Sequence, residues 1–302
     1  MKFASLLRQK KFREGLAGYL FVLPLLLYFA IFVLIPILIS FYYSFTDWTM
    51  RSTPHFVSFR NYAELLFNKQ KQPYFWPSLL VTVKYIILRV PVGLALSLFL
   101  ALLLNSRIRG ENFFKLCYFI PMITSVIAIA ALWKWLYDPV TGFINQSLAL
   151  AQMTQHNWLN EVGTALPAIA AMSVWQGAGY GMIIFLAGLK GIPEELYEAA
   201  RIDGANAWQQ FWNITLPLLR PVTFFLLVTS IIGSFQVFDQ IYVLTSGLGS
   251  PEHSTFVYIL NLFNQAFRYY RMGLACAMSY ILFVIILVIT WIQFKFVPQS
   301  YD

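Results

Sequence analysis

The residues best suited to chemistry fall into three sets, and none of them makes or breaks bonds. The first is the polar segment EAARIDGANAWQQFWNITLP, residues 198–217, between two strongly apolar runs. Its Glu198, Ala199, Ala200, Asp203 and Gly204 suit docking: acids at the edges, small residues that allow close approach, and a glycine able to end a helix. The second set places hydrogen-bonding groups beside aromatic faces, the combination that binds sugars. It comprises Ser173, Trp175, Gln176, Gly177 and Tyr180, followed by Phe235, Gln236 and Asp239 at three- and four-residue spacing on one face. Gln236 is the better ligand of the later group, and Asp239 suits a structural role as well. Gly177, Gly179 and Gly181 leave room either for a ligand or for a neighbouring helix, since small residues are ordinary at helix contacts in membranes.

The third set consists of ionisable residues inside apolar runs, namely Lys84, Arg89 and Asp239. Burying one near a bilayer centre costs about 2.5–3.5 kcal/mol on insertion scales, so each needs a partner or water. At ~1.5 Å per residue, Lys84 lies about 10 Å below Pro77 and Asp239 about 9 Å below Thr245, so an ion pair between them is expected. Arg89 lies about 18 Å deep, where it could meet the hydroxyls or an acidic group of a solute, or be satisfied by helix carbonyls or a partner subunit. Enzyme signatures are missing: no phosphate loop, no G-x-S-x-G and no HExxH pair among His55, His156 and His253. Neither a catalytic nor a metal site is expected.

The elements that must position these residues are membrane spans. The chain is 59% hydrophobic and 11% charged, far from a soluble domain. Apolar runs near the ~20 residues needed to cross a bilayer occur near 16–41, 79–104, 113–136, 166–189, 222–244 and 273–296. A backbone in lipid must satisfy its own hydrogen bonds, so the spans are expected to be helices of one all-α membrane domain covering 1–302. The first run is too long for a signal-peptide core and is read as a retained span. Lys and Arg favour one side of the expected topology. Lys2, Arg8, Lys10, Lys11, Arg13, Arg107, Arg109, Lys115, Lys190, Arg201, Arg220 and Lys295 share the side of both termini. Arg51, Arg60, Lys69, Lys71, Lys134, Arg268 and Arg271 fall on the other. The richer side is expected to be cytoplasmic, and the net charge of +8 reflects topology rather than nucleic-acid binding.

The 190–221 loop reads as a helix-turn-helix knob on that side. Pro193 suits a helix start, Glu194, Glu195 and Glu198 suit its positive end, and Gly204 suits its stop. Leu196, Ala199, Ala200 and Asp203 share one face. A second short helix follows with Trp208, Phe211 and Trp212 as its apolar ridge, and Pro217 and Pro221 lead into the fifth span. Elsewhere a short helix is expected near Tyr62–Phe67, and the aromatic stretch before Met272 suits a helix lying at the membrane interface.

The spacing Glu-Ala-Ala, three residues, Gly204, nine residues, Ile214, one residue, Leu216-Pro217 resembles the EAA loop of bacterial ABC importer membrane subunits. Phe45-Thr46-Asp47-Trp48, Phe59-Arg60-Asn61-Tyr62, Phe119-Ile120-Pro121, Trp175-Gln176-Gly177 and the run from Ser234 to Asp239 extend the resemblance to the carbohydrate-importer branch, the MalF-like permeases. Gly247-Leu248-Gly249 departs from the usual Gly-Gly-Pro, which bears on a loop. The resemblance implies a type I ABC importer permease fold in a bacterial inner membrane, with both termini cytoplasmic and Glu198–Gly204 as the helix that couples to an ATPase. It implies a second, similar permease, two ATPase subunits holding ATP and Mg, and an extracytoplasmic solute-binding protein. No cofactor is expected on this chain. It also places Trp175, Gln176, Gly177 and Tyr180 on a sugar path. A permease for a glycerophosphate, polyol or acidic oligosaccharide remains the alternative within transport, and a six-span channel or scaffold without an ATPase the alternative outside it.

Overall fold

A computed structural model describes residues 18–106 and 110–296. The basic residues of the N-terminus, the start of the first run at Leu16, and Arg107 and Arg109 lie outside the described residues. The described chain is helical, with a single isolated bridge, Thr46 to Phe56. Four helices are long and apolar enough to cross a membrane: α1 (Gly18–Ser44), α3 (Phe75–Asn105), α7 (Ala165–Lys190) and α13 (Met272–Phe296). Two bent helix pairs raise the number to six if each counts as one span. One joins α4 (Glu111–Ile123) to α5 (Val126–Leu136) at 99°, and the other joins α9 (Ala207–Leu218) to α10 (Arg220–Phe235) at 63°. Shorter helices are α2 (Arg60–Phe67), α6 (Phe143–Leu150), α8 (Glu194–Ile202), α11 (Asp239–Leu244) and α12 (Tyr258–Phe263).

The chain falls into two compact units, with boundaries after Phe67, after Asn264 and, inside α13, after Leu282. In the first unit, the segments Phe45–Trp48 and Phe59–Tyr62 lock together. The Asn61 amide donates to the carbonyls of Ser44 (2.9 Å) and Thr46 (2.8 Å), which the end of α1 leaves free. Tyr62 donates to the Ser44 hydroxyl at 2.8 Å, while Phe59 packs edge-on against Phe45. Glu64 on α2 is ion-paired with Arg271.

The second unit is built on α3 and α7, which pack side by side and run in the same direction. One apolar cluster joins Tyr85 of α3 to Ile169 and Met172 of α7, with Val237, Ile241 and Leu260. The other joins Leu100 and Leu104 to Met182, Phe185 and Leu189, with Leu219 and Leu226. The clusters sit at opposite ends of the α3–α7 pair, and the polar residues of both helices lie between them.

Two expected spans are not straight helices. The third breaks at Thr124 and Ser125, both extended. The Thr124 hydroxyl donates to the Ile120 carbonyl at 2.8 Å, a local side-chain bond beside the break. The fifth breaks between Phe235 and Asp239, which seats Val237 in the first apolar cluster. The stretch expected at an interface is also different: Phe256, Val257, Tyr258 and Leu260 are core, and the Tyr258 N–H donates to Thr82 Oγ1 at 2.9 Å. Their full burial outweighs the amphipathic look of the sequence.

Candidate functional site

Two sites stand out, both in the second unit, and the knob is the simpler. Glu194 and Glu195 open α8, and Arg201 closes it, in keeping with the helix dipole. The helix ends in a Schellman motif. Ala205 N–H donates to the Ala200 carbonyl (2.8 Å) and Gly204 N–H to the Arg201 carbonyl (3.1 Å). Gly204 has φ +82°, and open space surrounds the place where a side chain would stand, so backbone conformation alone demands glycine there. The next helix begins with a capping box, in which Asn206 and Gln209 bond each other's backbone N–H at 2.9 and 2.8 Å. Tyr197 OH meets Thr215 Oγ1 at 2.9 Å and ties α8 to α9. That bond turns Tyr197 inward and leaves Glu198, Ala199, Asp203 and Gly204 exposed, with Ala200 half-buried. Beside them Ile202 is 86% exposed, an apolar side chain with no cover from its own chain. Behind the knob, a cavity of about 710 Å³ reaches Asn105, Glu111, Lys190 and Tyr197. Lys190 bonds Glu111 across it at 3.2 Å.

The second site is a cavity of about 310 Å³ between the two apolar clusters, at the lower end of the ~300–1,000 Å³ range of ligand pockets. Ser173, Gln176, Gly177 and Tyr180 line it from α7, and Arg89 lines it from α3. Arg89 Nη1 donates to Ser234 Oγ (2.8 Å) and to the Ser230 carbonyl (3.3 Å), and the Ser234 hydroxyl in turn donates to that carbonyl (2.7 Å). Gln240 also faces the cavity, with its amide near Tyr85 OH and Ser173 Oγ at 3.4 and 3.5 Å.

The remaining expected residues are elsewhere. Trp175 lies off the cavity, 43% exposed and packed on Trp133 at 5.6 Å between ring centres. Phe235 is buried, whereas Gln236 and Asp239 are exposed and outside the cavity lining. The helix break between them means that the three do not share a helical face. The expected Lys84–Asp239 ion pair is not formed. Lys84 is exposed, because the buried face of α3 passes through Ser78, Thr82 and Tyr85, and Asp239 opens α11, where the helix dipole suits an acid. The three glycines divide between their two readings. A Cβ at Gly179 would stand 1.9 Å from the Tyr118 carbonyl and one at Gly181 2.5 Å from Ser97 Oγ, so both serve close helix packing. At Gly177 the nearest atom is Arg89 Nη2 at 3.5 Å, on the cavity side.

Sequence reasoning did not place Ser230 or Gln240 at the cavity, nor Ser234 as the partner of Arg89. The two serines are four residues apart in an apolar helix, a spacing that puts both on one face and could have marked them. Gln240 carried no such signal, since its position depends on the break before Asp239.

These features, a knob with a bare apolar tip and a cavity lined by polar and apolar side chains together, agree with the comparison to known proteins. A family described as "binding-protein-dependent transport system inner membrane component" matches residues 93–299. The chain belongs to this family. Such an inner membrane component carries solute for a binding-protein-dependent system; it is a transport component. "Probable ABC transporter permease protein YesP" of Bacillus subtilis (strain 168) is 38% identical over 94% of this chain and 91% of its own length. "Trehalose/maltose transport system permease protein MalF" of Thermococcus litoralis is 36% identical over 96% of this chain and 97% of its own. In fold, the component resembles a bacterial ABC transporter that imports the acidic polysaccharide alginate, with TM-score 0.82 over 97% of this chain and 99% of the other. At 23% identity that likeness speaks for fold alone.

Proposed function

We propose that this permease forms half of the solute path of a sugar or oligosaccharide importer and takes its energy from a partner ATPase. The cavity carries the first part of this reading. Ser173, Gln176, Tyr180 and Gln240 present hydroxyl and amide groups to one space, which suits a polyhydroxylated solute. The exposed Glu198–Gly204 face with Ile202 carries the second, because a bare apolar tip flanked by acids favours a protein partner.

In this reading the knob enters a groove on one of two cytoplasmic ATPase subunits, which hold ATP and Mg. Both termini lie on the same side as the knob, and the spans work as one permease domain beside a second, different permease chain. ATP closes the ATPase pair, the knob follows, and the spans change from inward-facing to outward-facing. Nucleotide drives that change only through its differential affinity for the two states. A binding protein then delivers solute to the path between the two permeases, which the cavity of this chain lines.

The test is ATP hydrolysis by the reconstituted complex with its binding protein, screened over oligosaccharides, polyols and uronates. Stimulation by a glycan is the expected result. Failure of any ATPase to assemble with the chain would overturn the reading in favour of a channel or scaffold.

A further inference from the structure

We propose that Arg89 makes the cavity selective for a solute bearing a carboxylate, a uronate-containing oligosaccharide. This rests on the reading of the cavity as the solute path. Arg89 brings a permanent positive charge to the middle of α3, deep in the membrane, where a charge requires compensation. The protein supplies only neutral acceptors, Ser234 Oγ and the Ser230 carbonyl, and both bind Nη1. No carboxylate approaches Arg89 within 4.0 Å among the described residues, and none lines the cavity.

A guanidinium offers five N–H donors in a rigid fork that matches a carboxylate edge. With Nη1 anchored, Nη2 and Nε remain for such a contact, and Nη2 stands against Gly177, where the helix presents no side chain. Bracing α3 to α10 would require only a neutral donor; the charge is what the brace leaves unused. A single cation in an otherwise uncharged lining suits one carboxylate better than a phosphate dianion. Gln176, Tyr180, Ser173 and Gln240 surround it with groups suited to hydroxyls.

The experiment is ATP-dependent uptake into liposomes by the complete importer with its binding protein. The probes are a disaccharide of hexuronic acids and its methyl ester, which keeps the shape and hydroxyls but loses the charge. The binding protein is constant throughout, so a change in the acid-to-ester uptake ratio reports the membrane chain. Arg89→Gln is expected to lower that ratio at least about tenfold, and Arg89→Lys to hold it within about threefold. Gly177→Asp keeps Arg89 but supplies an internal counter-charge beside Nη2, and it is expected to lower the ratio as well. It decides the matter if Arg89→Gln does not assemble. A ratio unchanged in both variants, as when an acid of the partner permease already neutralises Arg89, overturns the proposal. Equal loss of both probes in Arg89→Gln with an unchanged ratio in Gly177→Asp reduces Arg89 to a brace and also overturns it. Wild-type uptake of neutral glycans only would refute the charge selectivity while leaving the importer reading intact. ATP-independent behaviour with every solute would refute the importer reading itself.

Discussion

At the residue scale, the informative positions are those where one atom decides the outcome. Gly204 needs its glycine for φ +82° and not for space, so Gly204→Asp strains the Schellman turn without a clash. The variant is expected to reach the membrane yet lose its ATPase, which co-purification checks; normal uptake would sink the docking assignment. Gly179 is the opposite case, because an added methyl would stand 1.9 Å from the Tyr118 carbonyl. Gly179→Ala should lower the thermal unfolding midpoint of the purified protein by several degrees, whereas Gly177→Ala should scarcely move it. Overpacking costs about 1–3 kcal/mol, while ordinary contact at 3.5 Å costs little. Asp138 gives a pH signature. The backbone N–H and hydroxyl of Thr141, then the N–H of Val140, bond its carboxylate and hold its pKa below the ordinary value. A depressed carboxylate stabilises the fold above its unfolded pKa and loses that effect as pH falls through its folded value. Protection of the Val140 and Thr141 amides, measured against their intrinsic exchange rates, should therefore hold at neutral pH and be lost only below the usual carboxylate range. Loss of protection already near neutrality would contradict it.

At the scale of elements, the knob is a helix pair in which one hydrogen bond, Tyr197 to Thr215, ties α8 to α9. Tyr197→Phe removes the link to the buried Thr215 hydroxyl and leaves the packing of the ring in place. A typical bond of this kind contributes about 0.5–1.5 kcal/mol, so the variant should fold but hold α8 less firmly. Hydrogen exchange across Glu194–Ile202 should quicken, and ATP hydrolysis should respond less to solute. Unchanged exchange would show that α8 is held by other contacts. The broken helices follow the same logic. Both α4–α5 and the stretch after α10 contain residues compatible with continuous spans, yet the first is interrupted beside the Thr124 hydroxyl bond and the second where Val237 takes a buried seat.

At the scale of the whole molecule, the prediction concerns sidedness. Single cysteines at Glu198 and at Thr154 should label from opposite sides of the membrane in cells, with Glu198 reached only from the cytoplasm. Labelling of both from one side would reverse the positive-inside reading of the loops. Much of this scale was legible. Membrane spans are recorded in composition because lipid demands long apolar helices, and the knob is recorded because its turn, caps and small face are local. Gly204 could be read as a helix stop from its neighbours alone.

The sequence by itself determined the helical membrane class, the approximate spans, the knob and the presence of Arg89 at depth. Each follows from local rules of hydrophobic length, capping and charge cost. Only the tertiary structure decided which polar residues share a cavity, because that depends on how separate helices meet. The break after Phe235 turned Gln240 toward Ser173 and left Gln236 and Asp239 exposed, and no periodicity within that run reveals it. Likewise Ser230 and Ser234 became partners of Arg89 across 141 and 145 residues of chain, a pairing set by the packing of α10 against α3. The same packing divided three equivalent-looking glycines, two pressed against neighbouring helices and one, Gly177, with room beside Arg89 in the cavity.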